Sequence, residues 1–187
     1  TFNDITEAKA AGNANNDWEL TLKLIKARGK SATLEAVTDC FEKFYQGTSE
    51  KPGYKTKETL LCDKTLLEEL AKKLPLGIVT GRPRSDAVEF LERNGIAGLF
   101  KTFVTMDDGP LKPSPEPMRL ALKQLGVRTA WMVGDTPDDM RSARNAQVVP
   151  LGVIAPADDP DTAHKALIKA GAGRVLSSLN ELRERLL

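Results

Sequence analysis

Hydrophobic residues in the first 58 positions recur at helical spacing, in two stretches separated by polar turns. These stretches cover residues 17–28 and 33–45, and spacings of three and four residues are typical of amphipathic helices. Residues 47–57 are rich in Gly, Pro, Ser, Thr and Lys, a composition that favours a boundary. We therefore predict that residues 1–58 form helices joined by turns.

From residue 59 onward, short apolar runs alternate with amphipathic stretches. Strands are predicted at residues 76–80, 100–106, 130–133, 148–154 and 174–176. Helices are predicted after Asp63, at residues 85–94, from Ser114 and Pro115, at residues 139–145 and 162–170, and at the C-terminal end. Continuous apolar strands that alternate with helices indicate a parallel sheet covered on both faces, so the fold class is α/β.

Composition excludes several classes of function. The formal net charge is +1 and hydrophobic residues make up 41%, so no basic surface for nucleic acid or an anionic membrane is indicated. No apolar run approaches the ~20 residues of a membrane-spanning helix, and the first residues do not follow a signal-peptide pattern. Cys40 and Cys62 lack metal-ligand spacing. We expect reduced thiols in an intracellular protein, in the cytoplasm or an organelle.

Residues 131–140, reading W-M-V-G-D-T-P-D-D-M, carry the most informative signal. An apolar strand ends at Asp135, and Asp138 and Asp139 follow at the start of a predicted helix. Carboxylates are costly at the end of an apolar strand unless positive charge meets them, and Mg²⁺ prefers oxygen ligands. The alternative is that these are ordinary strand-end and helix-capping acids that complement a helix dipole.

Two motifs earlier in the chain favour a metal site over ordinary capping acids. Residues 76–83 read L-G-I-V-T-G-R-P, an apolar strand that ends at Thr80, and Lys112 precedes a proline. Lys112 alone would be an ordinary loop lysine. Because ligands of open α/β sheets bind beyond the carboxyl ends of the strands, we expect Thr80, Lys112 and Asp135 to converge there.

This ordered set of motifs resembles the haloacid dehalogenase (HAD) superfamily of phosphohydrolases, whose second, third and fourth motifs have the same order and character. Within it, the chain resembles subfamily I, which has a helical cap after the first core strand. The resemblance spans nearly all of the chain. It implies a Rossmann-like core of parallel sheet flanked by helices in residues 59–187, and a partial, small, all-helical cap in residues 1–58.

The resemblance also implies chemical roles. Thr80 would offer its hydroxyl to a phosphoryl oxygen, and Gly81 would let the backbone amide approach closely. Lys112 would neutralise phosphate charge, and Asp135 and Asp139 would bind Mg²⁺. The implied activity is hydrolysis of a small phosphorylated metabolite through an aspartyl-phosphate intermediate. Asp138 competes with Asp139 for the metal, but the family spacing favours Asp139.

Two further substrate-binding candidates are less specific. Arg82 follows Gly81 and could contact the substrate phosphate, but a solvated turn arginine fits the sequence equally well. Asn16 lies in a polar cluster with Asn15, next to Trp18, in the predicted cap. Asn residues favour turns and helix caps, so a structural role competes with substrate contact for both.

The family's first motif is missing from this sequence. It is an Asp-x-Asp pair that ends the first core strand, but the chain opens at Thr1 and Asp4 has no apolar strand before it. We expect an additional central strand between those carrying Thr80 and Asp135, from upstream sequence, a second copy in a homodimer or a partner chain. The alternative is a catalytically inactive HAD-fold protein that serves as an interaction or assembly subunit. Asp107 and Asp108 only imitate the missing motif, because no residue separates them, and we expect them to line the pocket rim or cap a turn.

Overall fold

The N-terminal part of the protein is helical. The structure is a computed structural model that describes residues 2–12 and 14–186. It contains α1 (Phe2–Ala11), α2 (Asp17–Ala27), α3 (Leu34–Gln46) and a 3-10 turn at Tyr54–Lys57. The predicted helices at 17–28 and 33–45 are confirmed to within one residue at each end, whereas α1 is an additional helix that the apolar spacing did not single out.

The remainder alternates helices and strands, which confirms the α/β, Rossmann-like fold class. In chain order the elements are α4 (Lys64–Lys73), β1 (Leu76–Val79), α5 (Arg84–Arg93), β2 (Phe100–Val104), α6 (Glu116–Leu125), β3 (Trp131–Gly134), α7 (Pro137–Asn145), β4 (Val149–Val153), α8 (Pro160–Ala170), β5 (Arg174–Leu176) and α9 (Leu182–Leu186). α8 begins two residues before its predicted start, and a boundary difference of the same size is found at α7. α7 begins two residues before the predicted start, because the Thr136 hydroxyl caps it and proline is well suited to its first position.

The strands form two parallel groups. β1 pairs with β2, and β4 lies between β3 and β5. Both groups contribute to the same hydrophobic clusters: Leu76 of β1 and Val133 of β3 pack against one cluster, and Val79 and Met132 against another. The two groups therefore lie within one layer of the fold, with helices packed around it.

No ladder of backbone hydrogen bonds joins β1 to β3 in the described part of the chain. This separation coincides with the position at which the sequence analysis expects an additional strand. The carboxyl end of β1 leads to Thr80, and that of β3 leads to Asp135. Thr80 and Asp135 thus lie on opposite sides of the separation between β1 and β3.

The helical part contacts the core through different elements. α2 packs on α3, whereas α1 contacts α7. Cys40 and Cys62 are free thiols. Among the helices that the structure describes, none combines the length and apolar character needed to span a bilayer.

Candidate active site

The turn after β1 is held in a compact conformation. The Thr80 amide donates to the Val104 carbonyl at 2.9 Å, and the Arg82 amide donates to the Thr80 hydroxyl at 3.2 Å. A Cβ on Gly81 would lie 2.4 Å from the backbone oxygen of Asn15. Glycine is therefore required at position 81, since the backbone of the helical part passes directly over the turn.

Lys112 links the two sides of the sheet. Its Nζ lies 2.5 Å from Oδ1 of Asp139, at the start of α7, and donates to the Val79 carbonyl at 3.3 Å. The Lys112 side chain is only 9% exposed. A buried ammonium needs such partners, so its position between the ends of β1 and β3 is well determined.

The two carboxylate oxygens of Asp139 contact different partners. Its Oδ2 accepts from the Thr136 amide at 3.0 Å and from the Thr136 hydroxyl at 2.8 Å, which completes a capping box at the start of α7. Its Oδ1 is buried beside the Lys112 ammonium and receives no directed hydrogen bond from the described residues. The Lys112 ammonium is therefore the charge partner of this oxygen.

Asp138 has a structural role, although it is as deeply buried as its neighbour, with 2% of each residue exposed. Its Oδ2 accepts from the Asn15 side-chain amide at 2.8 Å and from the Ala14 amide at 3.3 Å, and Arg141 reaches Oδ1 at 3.1 Å. The Asn15 amide also donates to the Lys112 carbonyl at 3.0 Å. Asp138 thus joins the helical part to the core, while Asp139 faces Lys112.

Asp135 follows β3, and its exposed side chain lines the cavity. The surrounding protein still reduces its solvation, which is the main cause of a raised pKa for this carboxyl group. The neighbouring Asp139 carboxylate raises this pKa further, whereas Lys9 and Lys112 oppose the shift. Sequence reasoning missed Lys9, because it belongs to the unpredicted helix α1.

These residues meet in one cavity of about 380 Å³ between the helical part and the core. Its core end is lined by Thr80, Gly81, Lys112, Asp135, Thr136 and Asp139. Its cap end is lined by Asn16, Trp18, Phe41, Glu42, Tyr45, Arg82 and Asp86, among others. The structure therefore brings the three separate sequence motifs together at the carboxyl ends of the strands.

The two remaining candidates line the cavity but have partners within the protein. Arg82 forms an ion pair with Glu58, and its guanidinium lies 6.0 Å from the ring centroid of Tyr45 and 5.6 Å from that of Phe90. The Asn16 side-chain oxygen accepts from the Trp18 amide at 3.0 Å and caps α2. Substrate contact by Arg82 and Asn16 stays a prediction. Each asparagine side chain makes two hydrogen bonds, but those of Asn15 reach the core, whereas those of Asn16 stay within α2.

The acidic pair that imitates the missing motif caps a turn, as expected. Asp108 Oδ2 accepts from the Thr105 amide and hydroxyl at 2.8 and 2.9 Å, and its carboxylate pairs with Arg84. Asp107 accepts from the Arg84 amide at 2.8 Å. These contacts account for both acids without a catalytic role.

The donor set at the core end suits a hard cation. Within residues 2–12 and 14–186, no group of three or more His, Cys, Asp or Glu side chains is placed to hold a metal. However, Mg²⁺ in phosphate-transferring sites is commonly held by one or two carboxylates together with water and substrate phosphate. Asp135 and the buried Oδ1 of Asp139 fit that pattern.

Comparison with known proteins supports the resemblance. The model of the haloacid dehalogenase-like hydrolase family matches residues 19–153. An imidazoleglycerol-phosphate dehydratase of Phytophthora nicotianae is 45% identical over 190 residues, which cover 96% of this chain and 41% of that protein. Pyrophosphatase PpaX of Bacillus velezensis is 44% identical over 91 residues, covering 46% of this chain and 42% of that protein. The chain thus spans about two fifths of the length of both relatives.

A solved structure extends the match to three dimensions. A hydrolase from Pseudomonas syringae superposes with a TM-score of 0.69 and 26% identity, covering 92% of this chain and 78% of that one. The family model spans most of the chain and includes the segments that carry Thr80, Lys112, Asp135 and Asp139. The chain therefore belongs to the haloacid dehalogenase-like hydrolase family.

Proposed function

We propose that the protein is a Mg²⁺-dependent phosphohydrolase that acts on a small phosphorylated metabolite. The observation that carries the proposal is the cavity in which Thr80, Lys112, Asp135 and Asp139 meet. Family membership and the similarity to a pyrophosphatase support the same class of reaction. A cavity of about 380 Å³ falls within the usual range for small-molecule sites.

The core end has the groups that phosphoryl transfer requires. Thr80 and the amide of Gly81 would bind phosphoryl oxygens, and the Lys112 ammonium would neutralise charge that develops on them. Asp135 and Asp139 would hold Mg²⁺, which supplies further charge neutralisation when bound. Positioning and charge neutralisation contribute most to such reactions, because the transition state is loosely bonded.

The nucleophile in the proposed reaction is an aspartate on an additional strand. One of its carboxylate oxygens attacks phosphorus, the ester P–O bond breaks, and the leaving alcohol takes a proton from the second carboxyl group of the Asp-x-Asp pair, which the attacking water restores in the next step. Water then attacks the phosphorus of the aspartyl-phosphate, which releases inorganic phosphate and regenerates the carboxylate. Both steps place negative charge beside Lys112.

We place this strand in the separation between β1 and β3. The support is that the facing edges of β1 and β3 are not joined by hydrogen bonds, and that both strands end at the cavity. Each buried backbone group left unpaired costs on the order of 1–3 kcal/mol, so a strand in this position would also stabilise the fold. Another segment of the protein, a second copy or a partner chain could supply it.

The test is an assay of the full-length protein with an aryl phosphate, with and without Mg²⁺. Asp135→Asn is expected to lower turnover on the order of a thousandfold and to weaken Mg²⁺ binding measured by calorimetry. Asp161→Asn, an exposed carboxylate on α8, is the matched control and should change neither. Unchanged Mg²⁺ affinity in Asp135→Asn would refute the metal assignment. Absence of turnover across a panel of phosphate esters, despite a complete acidic motif, would favour the non-catalytic alternative.

A further inference from the structure

The cap end of the cavity differs chemically from the core end. Three aromatic side chains, Trp18, Phe41 and Tyr45, line it together with the carboxylates of Glu42 and Asp86. Trp18 belongs to α2, and Asp86 belongs to the first turn of α5. The other three residues, Phe41, Glu42 and Tyr45, belong to α3. Three separate helices thus contribute to a surface with aromatic and anionic character.

The two carboxylates are held close together by one neutral group. The side-chain amide of Gln46 donates to Oε2 of Glu42 at 3.1 Å and to Oδ1 of Asp86 at 2.9 Å. The indole of Trp18 donates to Oε1 of Glu42 at 3.1 Å. Both partners are uncharged, so they position the carboxylates but leave their negative charges in place.

The nearest arginine only partly offsets this charge. The guanidinium of Arg82 interacts electrostatically with Asp86, but its hydrogen bonds go to Glu58. Among the ion pairs of the described residues, none includes Glu42 or Asp86. Asp86 is also largely buried, with 9% of the residue exposed, so solvent screens it weakly. The cap end therefore retains negative potential.

We propose that the alcohol portion of the substrate carries a positive charge, such as an ammonium group, which binds between Glu42, Asp86 and the aromatic rings. This inference rests on the proposed function, because the phosphate must occupy the core end. Carboxylates attract a cation directly, and aromatic faces attract it through their quadrupoles. An anionic group in the same place would be repelled. The site thus selects a phosphate monoester of an amino alcohol over neutral or acidic esters of similar size.

The test compares three phosphate esters of nearly equal size on the full-length protein. 2-Aminoethyl phosphate is cationic at its far end, 2-hydroxyethyl phosphate is neutral and phosphoglycolate is anionic. We expect the cationic ester to bind at least tenfold more tightly than the neutral one by calorimetry, and the anionic ester to bind most weakly. The same order is expected for kcat/KM.

Two substitutions assign the preference to these residues. Glu42→Gln and Asp86→Asn retain the shape of each side chain but remove its charge, and together they should reduce the preference for the amine to about twofold or less. Asp39→Asn is the matched control, since Asp39 is an exposed carboxylate on the same helix as Glu42 and does not line the cavity. Circular dichroism and melting temperatures establish that each variant is folded.

Each outcome is decisive. Equal binding of the three esters, with turnover of an aryl phosphate intact, would overturn this inference and leave the phosphohydrolase proposal standing. A preference that survives in the double variant would show that other residues are responsible. If the protein hydrolyses an aryl phosphate but binds none of the three esters, this inference alone fails. If it hydrolyses neither the aryl phosphate nor any of the esters, the proposed function fails as well.

Discussion

The two ends of the cavity are built in different ways. Most residues of the core end directly follow strands or begin the next helix, and Lys112, from the loop between β2 and α6, contacts them through Asp139. Most of the cap end consists of side chains on α2, α3 and α5, and the Gln46 side chain joins α3 to α5. Strand ends fix side chains through the backbone, whereas helix faces admit many combinations of residues. In the proposed function, the core end would therefore serve the reaction step and the cap end the choice of substrate.

Lys112→Met tests the core end and should have the largest effect on stability. It leaves the Asp139 carboxylate buried without its cation, so the free energy of unfolding should fall by about 3–5 kcal/mol. Chemical denaturation measures this difference. Lys23→Met, on an exposed face of α2, is the control and should change stability by no more than about 0.5 kcal/mol. Equal effects of the two substitutions would mean that the Lys112–Asp139 contact contributes little.

The two neighbouring acids provide a sharper comparison. Asp138→Asn should lower the free energy of unfolding by about 1–3 kcal/mol, because the amide matches its three hydrogen-bond donors poorly. It should leave Mg²⁺ affinity nearly unchanged. Asp139→Asn should instead weaken Mg²⁺ binding, measured by calorimetry. The reverse result would exchange the roles assigned to the two residues.

The contact between the helical part and the core can be tested at Gly81. In Gly81→Ala, the new methyl group would meet the Asn15 backbone oxygen, so the variant should lose about 1–3 kcal/mol of stability. Gly98→Ala is a matched control, since a Cβ there meets no atom within 4 Å. Thermal and chemical unfolding compare them. Similar stabilities would show that the backbone at Asn15 moves away from the turn at little cost in free energy.

The smallest effect concerns the charge of the cap end. Burial, opposed by Arg82 and reinforced by Glu58 and Asp86, raises the pKa of the Tyr45 hydroxyl to about 12. The chain has two tyrosines, so Tyr54→Phe leaves Tyr45 as the sole phenol in an ultraviolet titration. Because the unfolded chain releases this proton at lower pH, stability should fall as pH rises from about 10 to 12. If the Tyr45 phenol of the folded Tyr54→Phe variant ionises close to pH 10, its surroundings are neither desolvated nor negatively charged.

Much of the core end could be predicted from the sequence. The strands before Thr80 and Asp135 are continuous apolar runs, and parallel strands present their carboxyl ends at one edge. Convergence of residues that are distant in sequence follows from that topology alone. The family spacing favoured Asp139 over Asp138, but the structural role of Asp138 needed coordinates, because both residues lie in the first turn of α7 and only their partners differ.

The cap end could not be predicted in the same way. Glu42 and Asp86 are unremarkable polar positions on amphipathic helices, and they become neighbours only through the packing of α3 against the core. Likewise, α1 has a weak apolar pattern, so Lys9 gave no signal in the sequence. Side chains that meet across helices depend on tertiary geometry, which apolar spacing does not encode.

Lys112 also connects access to the cavity with the charge inside it. Its carbonyl accepts from Asn15 at the base of the helical part, while its ammonium lies against Asp139. If residues 14–16 move away from the core, the hydrogen bond from Asn15 to the Lys112 carbonyl must break. Lys112 is also the residue that carries the positive charge. The position of residues 14–16 is thus coupled to the placement of that charge through the side chain and the peptide group of one residue.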